Sequence, residues 1–219
     1  MKILSKILAW LITIFVPFAL TFLGLRMLLT PVFPQVEYRL PGFPPDQYGF
    51  TLQDRLHWST LSIDYLVNNA DISFLADLRF PDGTSFYNPR ELSHMHDVKG
   101  VVQPVLWIGY AVWILLAAFG LWARFGGWWQ EYLRGLRRGG WLMLGLVVLL
   151  GIFAVTSFWQ FFTVFHELFF TGGSWLFLYT DSLIRLFPLP FWEDAFLFVG
   201  VLDLIGGLAL GLGLRPKAD

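Results

Sequence analysis

Three stretches of the chain, Ile7 to Leu25, Val101 to Ala123 and Trp141 to Phe165, carry no charged residue over 19, 23 and 25 positions. Each is long enough to cross a hydrocarbon core of about 30 Å as a helix. A fourth apolar stretch, Ala195 to Leu214, is interrupted only by Asp203. Between the first two runs the pattern changes to helical amphipathicity. Leu52, Leu56, Ile63 and Leu66 predict a helix over Thr51 to Leu66, a second short helix fits around Ile72 to Leu78, and Phe80-Pro81-Asp82-Gly83 reads as a turn. Asn88-Pro89-Arg90-Glu91 is a helix start, with Asn at the cap, Pro in the first helical position and Glu placed to reach back to the cap. Pro31 to Pro45 is expected to be irregular and extended, and Gly100 and Pro104 are expected to loosen the join between the capped helix and the second span. Asp181 to Phe187 predicts a short amphipathic helix lying along a surface.

Composition agrees with a membrane setting: 56% of the 219 residues are hydrophobic, 19% aromatic and only 14% charged. Lys2 and Lys6 ahead of the first run would also suit a signal peptide. That run is long, however, and Pro31, Phe33 and Pro34 follow it rather than a small-residue cleavage site, so it is expected to remain a span. Charge sets the direction. One set of flanks holds Lys2, Lys6, Arg124, Arg134, Arg137, Arg138, Arg215 and Lys217 against Glu131 and Asp219, whereas the loop from Pro31 to Gln103 holds five basic and nine acidic residues. Both termini and the 124–140 loop are therefore expected in the cytoplasm. His57, His94, His96 and His166 then all fall outside.

The expected fold is an all-α membrane protein of four transmembrane helices, with a mostly helical extracytoplasmic domain between spans 1 and 2. Its segments are a first span (1–30), the extracytoplasmic domain (31–103), a second span (104–123), a basic cytoplasmic loop (124–140), a third span (141–165), an outer interfacial loop (166–194), a fourth span (195–214) and a cytoplasmic tail (215–219). A net charge of −1 with dispersed basic residues argues against a nucleic-acid partner. The absence of cysteine removes disulfides, thiolate metal sites and a cysteine nucleophile. Histidine, carboxylate and hydroxyl groups must carry any chemistry.

Glu91, His94 and Asp97 recur at steps of three and share one broad face of the capped helix. His96 points about 200° away from His94 on a helix, so a His-x-His metal pair fails there. His166 and Glu167 close the third apolar run, and both His94 and His166 are expected at similar depth near the outer hydrocarbon boundary. Two imidazoles with carboxylates nearby can run acid and base chemistry near neutral pH. A reactive bond at headgroup depth, such as a lipid ester, is the natural substrate.

The fragments Glu91-Leu92-Ser93-His94-Met95-His96-Asp97-Val98 and Phe165-His166-Glu167-Leu168-Phe169-Phe170, with Trp175, Asp181-Ser182-Leu183-Ile184, Phe187-Pro188 and Phe191-Trp192, resemble the lipoprotein intramolecular transacylase family of bacterial membrane proteins. The four-span layout with a long loop after the first span matches as well. The resemblance implies an enzyme of the bacterial plasma membrane that moves the sn-2 acyl chain of a diacylglyceryl-modified lipoprotein to the amino group of its own N-terminal cysteine. By the same resemblance His94 and His166 take the positions of the family's two functional histidines, with no cofactor or metal. Glu91, Asp97, Glu167 and Asp181 are candidates to orient the rings and tune them. Arg26, Arg90, Trp175 and Trp192 are candidates to bind the lipoprotein or membrane lipid. Two rival readings are a metal-dependent hydrolase using His94, His96 and His166, and a transporter or assembly protein relying on Asp203.

Overall fold

The computed structural model describes residues 2–170 and 173–216. Lys217 and Asp219, which entered the charge comparison, lie outside the described residues, as does the side chain of Lys2. The helices are α1 (Lys2–Leu28), α2 (Val32–Glu37), α3 (Leu52–Val67), α4 (Ser73–Ala76), α5 (Pro89–Phe125), α6 (Trp129–Thr156), α7 (Phe158–Phe169), α8 (Ser182–Leu186) and α9 (Leu189–Gly213). Among the described residues α1, α5, α6 and α9 are long and apolar enough to cross a membrane, which makes this the expected all-α, four-span protein.

Several boundaries differ from the sequence pattern. The apolar run Trp141 to Phe165 is not one helix: Ser157 adopts an extended conformation, and its hydroxyl accepts the Gln160 N–H, so α6 ends and α7 begins there. A hydrophobic run conceals such a break, because only a single capping residue marks it. Most of the predicted 124–140 loop is also helical. Gly126, Gly127 and Trp128 make the turn, Gly127 taking a φ of 75°, and the Glu131–Arg134 ion pair at 2.7 Å lies within the first turns of α6. Gly100 and Pro104 do not interrupt α5, since long apolar helices tolerate the one backbone bond that proline removes. Pro31 starts α2 rather than an extended segment, and α9 begins at Leu189 instead of 195 because Pro190 is acceptable in a first turn. The 181–187 segment does form a helix, α8, and it buries Ser182, Leu183 and Leu186.

Two compact units result. The first comprises Met1–Leu25, Val105–Thr156 and Leu197–Asp219. Its core gathers Leu8, Ile12, Val16, Ala123, Trp128 and Tyr132. Asp203, buried within the fourth span, accepts a 2.9 Å hydrogen bond from Thr21 of α1, which gives the mid-membrane carboxyl its partner. α6 and α9 meet through glycines: a Cβ on Gly140 would lie 2.7 Å from the Gly211 nitrogen and 2.8 Å from the Gly207 oxygen.

The second unit comprises Arg26–Pro104 and Ser157–Phe196. Tyr65, Leu75, Phe86, Tyr87, Met95, Leu183 and Leu186 form its core, so α3, α4, the first turns of α5 and α8 are pinned to one another. A capping box between Thr51 and Asp54 starts α3. Its other end is held by Gln103, whose side-chain amide donates to the Leu66 carbonyl at 2.7 Å. Arg185 of α8 donates to both carboxylate oxygens of Asp46 at 3.2 and 2.9 Å and stacks on Phe50. That partly buried pair ties the loop before α3 to α8.

Gly140→Ala should destabilise the protein by about 1–3 kcal/mol, because rigid backbone blocks the added methyl. Gly145→Ala, with open space around it, should leave stability unchanged or slightly raised. Thermal unfolding in detergent micelles checks both.

Candidate active site

The second unit brings together most of the residues that sequence reasoning selected. Its geometry begins at the start of α5. Asn88 caps this helix: its side-chain carbonyl accepts the Arg90 and Glu91 N–H groups at 2.9 and 3.1 Å. Glu91 reaches back to the Asn88 N–H at 2.7 Å through one oxygen and accepts the Leu183 N–H of α8 at 2.6 Å through the other. The carboxylate is only 1% exposed. A second link runs in parallel, from the Asn88 side-chain amide to Asp181 at 3.0 Å. Asp181 also accepts the Leu178 N–H at 2.9 Å. The first turn of α5 is thereby fixed against the segment that leads into α8.

One turn further on, His94 is buried, and His96 is exposed as the helical-face argument requires. His94 stands in the polar stretch Arg90 to Lys99, ahead of the uncharged run that can span the membrane. Its ring lies 6.1 Å, centre to centre, from that of His166 on α7, with the two planes 23° apart. Aromatic rings enclose the pair: Phe170 and Phe177 approach His94 at 4.9 and 5.3 Å, while Phe162 and Trp175 lie 4.0 and 4.8 Å from His166. His166 is also buried.

The hydrogen bonding of the two imidazoles differs. His166 Nδ1 lies 2.8 Å from the Phe162 carbonyl oxygen, one turn earlier on α7. A carbonyl can only accept, so Nδ1 carries the proton and Nε2 of the neutral ring keeps its lone pair. His94 Nδ1 is buried with no hydrogen-bond partner. Burial lowers the pKa of His166 below the ordinary imidazole value, with the Phe162 bond opposing only in part. Burial, reinforced by the neighbouring His166 ring, lowers His94. The site thus favours two neutral rings, one with a defined basic nitrogen.

The remaining candidates scatter around this centre. Asp97 accepts a hydrogen bond from Ser174 at 3.4 Å, and Glu167 is exposed. Arg90 donates to the Leu176 carbonyl at 3.2 Å, tying α5 to the loop that carries Trp175. Trp192 donates to the Phe187 carbonyl at 3.1 Å and faces Phe162 at 6.3 Å. Arg26 bonds the Leu29 carbonyl in its own turn at 3.4 Å. Among the described residues no three His, Asp or Glu side chains converge as metal ligands, which leaves the His94–His96–His166 hydrolase without its ligand set.

Sequence reasoning missed the aromatic enclosure by Phe162, Phe170 and Phe177. Phe162 was within reach, being four residues before His166 on one helix. It also missed the buried Glu37, whose carboxyl is raised to about 7 by burial and by the hydrogen bond and charge of Asp194. No local pattern announces that pair.

The family model described as lipoprotein intramolecular transacylase Lit matches residues 7–192. The chain belongs to the lipoprotein intramolecular transacylase family. It is accordingly a multi-pass membrane acyltransferase that acts on lipoproteins. An uncharacterised protein of Aquifex aeolicus is 28% identical over 98% of this chain and 96% of its own length. The fold also matches the in meso structure of the membrane integral lipoprotein intramolecular transacylase Lit from Bacillus cereus. That match has a TM-score of 0.80 and 17% identity, covering 96% of this chain and 94% of the other.

Glu91→Gln substitutes an amide nitrogen for one of the two carboxylate acceptors and sets a donor against a backbone N–H. The expected cost is about 1–3 kcal/mol. A fall in unfolding temperature, measured in micelles beside Glu167→Gln as an exposed control, checks it.

Proposed function

We propose that this transacylase moves the sn-2 acyl chain of a diacylglyceryl lipoprotein to the α-amino group of the same molecule's N-terminal cysteine, with His94 and His166 as the acid–base pair. The observation that carries the reading is the buried pair of imidazoles 6.1 Å apart, one of them with a fixed basic Nε2. His166 takes the proton from the amine as nitrogen attacks the ester carbonyl. The N–C bond forms, the C–O bond to glycerol breaks, and the proton passes to the departing glycerol oxygen. His94, close enough to share that headgroup, polarises the carbonyl or relays the proton. Amine and ester belong to one molecule, so no acyl-enzyme is required and effective concentration supplies much of the acceleration.

Glu91 and Asp181 position the helix that carries His94, while Asp97 and Glu167 stand in the same neighbourhood on their helices. Trp175 and Trp192 wall the acyl chains, and Arg90 and Arg26 approach carbonyl or headgroup oxygens. In this reading both termini are cytoplasmic and the histidines face the outer leaflet, as the basic flanks require.

Mass spectrometry of the N-terminal lipopeptide from a coexpressed lipoprotein should reveal an acylated cysteine nitrogen and a lyso-glyceryl thioether. His94→Ala and His166→Ala should each reduce that product by about 100-fold or more. An unchanged diacylglyceryl form with the wild-type protein folded would refute the assignment.

The pH profile supplies a second check. A His pKa below its ordinary value of about 6.5 keeps the ring neutral, and hence basic, until pH falls below that range, whereas the substrate amine loses its free form below about 8. Log kcat/KM should therefore rise with unit slope from about pH 6.5 to 8 and turn steeper only below 6.5. A histidine limb above pH 7 would contradict the proposed neutral pair.

A further inference from the structure

We propose that the cleft beside the first turn of α5 holds the polypeptide that follows the lipidated cysteine, an inference that rests on the acyl-transfer reading above. The cleft has a volume of about 500 Å³ and lies wholly within the second unit, between residues 85–92 and the segment that starts α8. None of its lining residues is a histidine. The transfer chemistry described above therefore leaves it unexplained.

A lipoprotein substrate has two parts with opposite needs. Its acyl chains suit the aromatic enclosure around the histidines, but the peptide that continues from the cysteine carries one N–H and one C=O per residue that require partners. The enclosure offers few. The cleft offers more: the exposed Thr180 hydroxyl stands at its wall beside the half-buried Asp181 carboxyl, whose oxygens accept from Asn88 and Leu178 and keep further lone pairs, and the half-buried Phe80 supplies an apolar surface. Its volume falls in the range of sites that enclose a small ligand or a few residues, so it would read an extended stretch rather than a folded domain.

Placement supports the same occupant. Glu91 lines the cleft and precedes His94 by three residues, about 4.5 Å along the helix axis and on the same face. An extended chain advances about 3.4 Å per residue, so the first or second residue after a cysteine held at His94 draws level with Glu91 and the second or third enters the cleft. Charge narrows the choice further. Arg185, the cation in the lining, is paired with Asp46, while Asp181 and Glu91 accept only neutral N–H groups, so the walls hold two carboxyl groups without a cationic partner. Acidic residues directly after the cysteine should be disfavoured.

The test uses the full-length protein in micelles with two synthetic diacylglyceryl substrates. One ends at a cysteine amide, and the other continues as a short uncharged peptide with a photoreactive side chain two or three residues beyond the cysteine. Crosslinks should map to residues 80–92 or 180–185. The truncated substrate should show a KM raised at least about tenfold at similar kcat. Thr180→Trp, which fills the cleft, should raise the KM of the extended substrate comparably without adding to the penalty of the truncated one. Equal KM values for the two substrates, or crosslinks elsewhere on the protein, would overturn the proposal. If the label enters the cleft while neither substrate is converted, the cleft stands and the acyl-transfer reading fails. If the substrates are converted while the label lands elsewhere, acyl transfer stands and the cleft is not the peptide site.

Discussion

The arrangement of the candidate site depends on a single buried carboxylate. Glu91 accepts the Asn88 N–H and the Leu183 N–H, joining segments 92 residues apart in sequence. Both donors belong to helix starts, where backbone N–H groups have no partner within the helix and where negative charge is favoured. A carboxylate removed from water is costly unless such bonds compensate it, so this geometry has few alternatives. The Asn88–Asp181 hydrogen bond and the Arg185–Asp46 pair extend the same network along α8. His94 is positioned by the helix that this network fixes.

From that fixed helix follows the electrostatic character of the imidazole pair. An exposed histidine near pH 6.5 would be partly charged and would exchange tautomers freely. His94 and His166 are instead walled by Phe162, Phe170, Trp175 and Phe177, and the Phe162 carbonyl selects one tautomer of His166. The unpartnered Nδ1 of His94 is notable in this setting. A buried polar atom without a bond is uncommon in a folded protein, and such atoms collect where a ligand or reaction completes the partnership.

Much of this architecture is legible in the order of residues alone. The four spans, the helix over Thr51 to Leu66 and the Asn88-Pro89-Arg90-Glu91 start are written in local periodicity and capping chemistry. His96 could be separated from His94 by helical geometry. The 141–165 run misled because hydrophobicity reports burial in apolar surroundings, not continuity of the helix, and one serine ended α6. Likewise the basic residues 124–140 looked like a loop because positive charge marks a flank without stating its backbone conformation. Glu91 appeared in the sequence as a local cap; its bond to Leu183 required the distant segment to be in place. The aromatic enclosure was hidden for a similar reason, since membrane proteins place aromatic residues at interfaces whether or not they line a site.

The proposed chemistry also explains why such a site would be assembled from neutral groups. The attacking amine is neutral, the ester is neutral, and charge appears only as the tetrahedral intermediate forms. A permanently charged catalytic group in this aromatic enclosure would have to be desolvated before substrate arrived, whereas a neutral imidazole becomes charged only as the amine proton is transferred. The resulting imidazolium and oxyanion appear together in a low-dielectric setting, where their attraction is much stronger than in water. Stabilisation then falls on the transition state and not on the bound substrate, which is the condition for raising turnover. Intramolecular transfer demands nothing more from the protein than holding amine, ester carbonyl and two rings in register. That demand is met by rigid helix starts, and it accounts for a site whose precision comes from buried caps.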